Sequence, residues 1–114
     1  DKGKIALYGI LFDTGSANLK ESSNAEIAMI ADYLKQNSSV NLFIVGHTDN
    51  TGILDNNMTL SDNRANAVVS ALTTQYGISA SRLLPKGVGP LCPVATNKTE
   101  DGRAKNRRVE IVLQ

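Results

Sequence analysis

The sequence has a single cysteine, Cys92, in 114 residues. One thiol cannot form an internal disulfide, and alone it says little about redox compartment. Aromatic residues are scarce: three Tyr, two Phe and no Trp. That argues against a base-stacking platform or an aromatic sugar groove. Excess charge is also missing. The net charge is +1, so no broad attraction to nucleic acid or anionic lipid is expected. No apolar run approaches the ~18–20 residues of a membrane span, so no membrane insertion is expected of this chain. There is one His, no GxSxG and no Walker motif, and Gly87-Val88-Gly89 lacks the third glycine of a dinucleotide fold. No catalytic set is visible. Nothing in the spacing of Asp13, Asp49, Asp55 and Asp62 favours two carboxylates facing one bond. His47 and Asp49 lie two apart, but further metal ligands at a recognisable spacing are absent, and the plainer reading of His47 is a hydrogen bond to its neighbours. No metal and no cofactor are expected.

What is present is an ordinary globular composition, 41% hydrophobic and 20% charged. The length suits one domain, residues 1–114. The chain opens on Asp1-Lys2-Gly3, which reads as a piece of a longer protein.

Lys4 to Phe12 is apolar on both alternations and reads as a central strand covered on two faces. Asp13-Thr14-Gly15-Ser16 is turn chemistry, with Leu19 anchoring the loop. Glu21 to Gln36 reads as a helix with Ile27, Ile30, Ala31 and Leu34 inward, capped by Ser22 or Ser23. Val40 to His47 is a second strand. After a polar loop, Gly52 to Asn57, a helix starts around Met58–Leu60, capped by Asn57 or Thr59. It runs to about Tyr76, and Gly77 is its C-terminal cap. Leu83 to Val88 reads as a third, shorter strand, which Pro85 marks as irregular or edge. A long loop, 90–100, and a helical turn, 101–106, precede a closing strand, Arg107 to Leu113. The order is βαβαββ, a two-layer α/β sandwich with a mixed sheet covered by helices.

Leu60, Ala67, Val68, Ala71 and Leu72 form an apolar stripe on the second helix, and Arg64 falls on it. An inward-facing guanidinium needs a partner or a ligand. By layout the partner is Asp49, at the mouth of the second strand. Two readings follow: a structural ion pair, or two jaws facing one pocket that takes a ligand with both an amine and a carboxylate. Arg107, at the start of the last strand, is a candidate second cation for that pocket.

Four ordered blocks sharpen this choice. They are Gly46-His47-Thr48-Asp49-Asn50-Thr51-Gly52, then Leu60-Ser61-x-x-Arg64-Ala65-x-x-Val68, then Gly87-Val88-Gly89, then Asn106-Arg107-Arg108-Val109-Glu110. Together they resemble the OmpA-like C-terminal domain of OmpA porins, Pal lipoproteins and MotB stator proteins, from about Ile10 to Leu113. The resemblance implies non-covalent binding of peptidoglycan through the diaminopimelate residue of the stem peptide. It implies a periplasmic, outer-membrane- or wall-associated domain that tethers an envelope protein, and no enzyme. Asp49 then matches the aspartate that meets the ligand ammonium, and Arg64 the arginine that clamps its carboxylate. Thr14 and Gly15 match the loop that lines the same pocket. Thr51, Asn57, Leu60 and Ser61 match its rim and floor, and a helix N-terminus near Leu60-Ser61 would offer N–H groups to the carboxylate. Arg107 matches the first arginine of the closing motif, although one step of strand register would exchange it with Arg108. Cys92 stands alone where some relatives carry a cysteine pair. The alternative function is a periplasmic protein–protein interaction module that uses the same face, as in Pal-type relatives.

Overall fold

The structure is a computed structural model and describes residues 4–12 and 15–114. Four strands and three α-helices alternate: β1 (Lys4–Leu7), α1 (Asn24–Gln36), β2 (Leu42–His47), α2 (Leu54–Tyr76), β3 (Leu83–Gly89), α3 (Glu100–Asn106) and β4 (Arg108–Leu113). The sheet order is β1-β4-β2-β3. β2 runs parallel to β3, whereas β4 runs antiparallel to both β1 and β2. This is the expected mixed α/β sheet, with α3 as a short helix before the last strand.

α1 and α2 cover one face of the sheet. The stripe of α1 is as expected: Ile27, Ile30, Ala31 and Leu34 are all buried. They meet Ala65, Val68 and Leu72 of α2 and Leu42, Ile44, Leu83 and Val109 of the sheet in one buried cluster. Burial of each large aliphatic side chain contributes roughly 1.5–3 kcal/mol. Leu19 packs against this cluster, as expected. The opposite face is open at one end, where Phe43 and Leu84 are exposed. Among the described residues, no helix is long and apolar enough to cross a membrane.

The first strand differs from the expectation. β1 stops at Leu7 and is an edge strand, not a central one. The chain bends at Tyr8-Gly9, where a Cβ on Gly9 would collide with the Glu26 carboxylate. Beyond the bend, the Leu11 backbone bonds the Ser23 hydroxyl in both directions, at 2.6 and 3.0 Å. The apolar run has two destinations. Ile10 enters the core, while Tyr8 and Leu11 stay exposed. Ser23 occupies the cap position of α1 but makes no side-chain cap bond, because its hydroxyl serves Leu11.

α2 begins at Leu54, a turn earlier than its sequence suggests, and neither Asn57 nor Thr59 caps it. Ile53 holds the cap position without a side-chain bond. The Asn57 amide is spent on the Thr51 carbonyl, at 2.9 Å. At the other end the helix stops as expected. Gly77 adopts the left-handed conformation, φ 69°, and its N–H bonds the Leu72 carbonyl. β3 is an edge strand, one of the two readings that Pro85 left open.

The helix lies unusually close to the sheet at two glycines. A Cβ on Gly46 would meet the Ser61 carbonyl, and one on Gly87 would meet the Asp62 backbone. Here α2 side chains satisfy the β3 backbone. Gly87 N–H donates to Asp62 Oδ1 at 3.1 Å, and Gly89 N–H to Ser61 Oγ at 2.9 Å. That contact brings the first half of α2 down over the C-terminal end of β2.

Candidate functional site

An open cleft of about 1110 Å³ lies at that end of the sheet. β2 and the residues after it supply Gly46 to Asp49 and Thr51. α2 supplies Asn57, Leu60 and Arg64. α3 and the residue after it supply Glu100, Asp101, Ala104, Lys105 and Arg107. The chain after β1 supplies Tyr8, Ile10, Leu11, Phe12 and Gly15.

Of the residues expected from sequence, Asp49, Arg64, Gly15, Thr51, Asn57, Leu60 and Arg107 come together in this one cleft. Thr14 lies outside the described residues. Ser61 does not line the cleft. It is fully buried, donates to the Met58 carbonyl at 3.0 Å and accepts from Gly89. The expected helix N-terminus at Leu60-Ser61 is also absent, since both residues lie in the second turn of α2, where backbone N–H groups are already bonded within the helix.

Asp49 is 8% exposed at the mouth of β2. Its Oδ1 accepts the Thr51 N–H at 2.8 Å, and its Oδ2 accepts Arg107 Nη1 at 2.6 Å. Burial pushes its pKa up, but the Thr51 and Arg107 bonds outweigh burial and hold the carboxyl below the usual aspartate value. It is therefore ionised at neutral pH. Arg107 is shared: its Nη2 lies 2.6 Å from Glu100 Oε2. Glu100 first and Asp49 second hold the guanidinium above its usual pKa.

Arg64 sits beside the apolar stripe rather than on it. The buried line of α2 is Ser61, Ala65, Val68, Ala71 and Leu72; Leu60 and Arg64 flank it and are half-buried. The guanidinium lies over the Phe12 ring, 4.9 Å from its centroid, and Nε donates to the Ser16 carbonyl at 2.8 Å. Burial lowers its basicity. Among the described residues, Asp49 is paired with Arg107 and not with Arg64. The structural ion pair that the layout suggested is absent.

The Arg107–Arg108 register is resolved. Arg107 lines the cleft, whereas Arg108 is 4% exposed and bonds Glu110 Oε2 at 2.7 Å and the Cys92 and Asn106 carbonyls. His47 lies against the same Glu110, with Nε2 at 3.3 Å from Oε1. Neither ring nitrogen has a hydrogen-bond partner among the described residues. In place of the hydrogen bonds expected for His47, its charged neighbours are Glu110, Arg108 and Lys4. Burial, with Arg108 second, lowers the His47 pKa against the opposing pull of Glu110. Among the described residues, no three His, Cys, Asp or Glu side chains gather as metal ligands would.

Asn106 opens the fourth block, but no role for it follows from the sequence. It is fully buried, and its amide accepts from Val94 and Ala95 N–H and donates to Ala95 O and Asn97 Oδ1. These bonds fix the loop after β3 and the end of α3, just before Arg107. Phe12, Ser16 and Glu100 were also missed. They are far in sequence from the arginines they hold, and no periodicity signals such pairs.

Residues 11–107 match the OmpA family. The chain belongs to the OmpA family. It is 45% identical over 104 residues to the probable lipoprotein YiaD of Escherichia coli K12, covering 91% of this chain and 47% of that one. It is 38% identical over 104 residues to the peptidoglycan-binding protein ArfA of Mycobacterium tuberculosis, covering 91% of this chain and 32% of that one. The chain thus spans less than half the length of either relative. Among solved structures, the peptidoglycan-associated lipoprotein of Burkholderia pseudomallei superposes with a TM-score of 0.82 at 31% identity, over 92% of this chain and 88% of that one. The OmpA family thus agrees with the resemblance carried by the four sequence blocks, and the mixed α/β fold with the order of strands and helices.

Proposed function

We propose that the cleft binds peptidoglycan non-covalently, through the diaminopimelate residue of a stem peptide, and so tethers an envelope protein to the cell wall in the periplasm. One observation carries the reading. Asp49 and Arg64 line a single cleft, and each is held by partners other than the other. The names of ArfA and of the peptidoglycan-associated lipoprotein support the same ligand class.

The diaminopimelate side chain ends in an ammonium and a carboxylate on one carbon. A carboxylate has about four lone-pair sites. Thr51 and Arg107 occupy two at Asp49, which leaves room for an ammonium. A guanidinium presents a planar fork matched to a carboxylate. Phe12 and Ser16 fix the orientation of Arg64 before any ligand arrives, so less rotamer entropy is lost on binding. Each charge-assisted hydrogen bond contributes about 1.5–3 kcal/mol. Many copies on one polymer would add avidity.

Competition tests the ligand. The domain is co-sedimented with purified diaminopimelate-type sacculi, with free meso-diaminopimelate or with Nα-acetyl-L-lysine amide added. Free diaminopimelate should release it. Nα-acetyl-L-lysine amide, which has a side-chain ammonium but no carboxylate, should not. Retention in excess diaminopimelate would refute the assignment.

A further inference from the structure

The cleft is larger than the group assigned to it. Pockets of ~300–1,000 Å³ bury a drug-sized ligand. At about 1110 Å³ this cleft exceeds that range, and a single amino-acid head group fills a small part of it. The remainder is bounded by α3. Asp101, Ala104 and Lys105 stand at i, i+3 and i+4, which is one face of a helix, and all three line the cleft. Ala104 is small and leaves this wall open between its two charged neighbours.

The ionic groups of the cleft are not equally engaged. Asp49 and Glu100 are both spent on Arg107, and Arg64 is seated on Phe12 and Ser16. Lys105 is exposed and forms no ion pair with any described residue, not even with Asp101 one turn before it. It is an available cation on the wall of a cleft that already holds two arginines. In a stem peptide the amines outside the zwitterion are mostly tied up in amide bonds, while carboxylates remain. The charge such a wall would meet is therefore negative.

We propose that Lys105 forms a second anion subsite, which takes a carboxylate of the stem peptide lying outside the diaminopimelate side chain. The inference rests on the diaminopimelate reading above. It makes the domain a reader of the peptide around the zwitterion and sensitive to amidation of that peptide.

Calorimetric titration of the domain tests it with three ligands. They are free meso-diaminopimelate, the tripeptide L-Ala-γ-D-Glu-meso-diaminopimelate, and the same tripeptide with every carboxylate outside the diaminopimelate side chain converted to a carboxamide. The wild type should bind the acid tripeptide about two- to five-fold more tightly than the carboxamide, the range of an exposed ion pair. Lys105→Gln should remove that preference. Lys98→Gln, which changes an exposed lysine outside the cleft, should keep it. A preference that survives Lys105→Gln, or a wild type that does not distinguish the two tripeptides, overturns the proposal while free diaminopimelate still binds. If free diaminopimelate and both tripeptides all fail to bind, the diaminopimelate reading falls and the subsite falls with it.

Discussion

Asp49 Oδ2 and Arg107 Nη1 are 2.6 Å apart, so the aspartate at the mouth of β2 is paired across the cleft with the residue that precedes β4. The bond has a titration consequence. With its pKa depressed in the folded state, Asp49 adds stability that is fully present above the ordinary aspartate value. That stability is lost as pH falls through the depressed one. Arg107→Gln should raise the Asp49 carboxyl pKa toward its ordinary value, as read by carboxyl-carbon NMR, and shrink this acid-dependent loss. An unchanged Asp49 titration would mean that Arg107 does not set its charge state.

Phe12 supports Arg64 by stacking, and cation–π contacts of this kind contribute about 0.5–2 kcal/mol. Phe12→Leu keeps an apolar side chain but loses the ring. The domain should stay folded, and its affinity for free meso-diaminopimelate should fall about two- to ten-fold by calorimetry. Equal affinity would show that the Phe12 ring does not fix the guanidinium.

Gly46→Ala inserts a methyl between β2 and the Ser61 carbonyl. Overpacking costs typically about 1–3 kcal/mol. Chemical denaturation should show a loss of at least that size, since the obstruction is backbone. Ala71→Gly, on α2 but away from the cleft, is the comparison: it should cost about 1 kcal/mol from helix propensity, plus the burial of one methyl. A neutral Gly46→Ala would mean that α2 can lift off the sheet freely.

His47 predicts a second pH effect, of the same sign but at higher pH. Its pKa is lowered by burial and by Arg108, with Lys4 adding and Glu110 opposing. Between the folded value and the unfolded value of about 6.5 the unfolded chain binds more protons. Stability is therefore complete above about pH 6.5 and declines as pH falls below it. Thermal unfolding from pH 7.5 to 5 should show this slope, and His47→Gln should flatten it. An identical slope in the variant would assign the effect elsewhere.

Much of this was legible in the sequence because it is periodic. The stripe of α1, the second strand and the Gly77 cap all follow from spacing and residue chemistry. The misreadings have a common cause: residues that serve a partner far along the chain. The strand before Phe12 read as central because its apolar residues feed both the core and the cleft. The start of α2 was placed late because Ile53 gives no cap signal and Asn57 bonds backward to Thr51. Ser61 looked like a pocket hydroxyl, yet it bonds β3. Arg64 was on the right helix, but its seat on Phe12 and Ser16 follows from no local pattern.

The most direct test of the account is co-sedimentation of Asp49→Ala and Arg64→Ala with purified sacculi, with circular dichroism spectra confirming that both variants are folded. The account predicts that each variant stays in the supernatant while the wild type pellets. If both folded variants pellet as the wild type does, Asp49 and Arg64 are not the jaws of a wall-binding site.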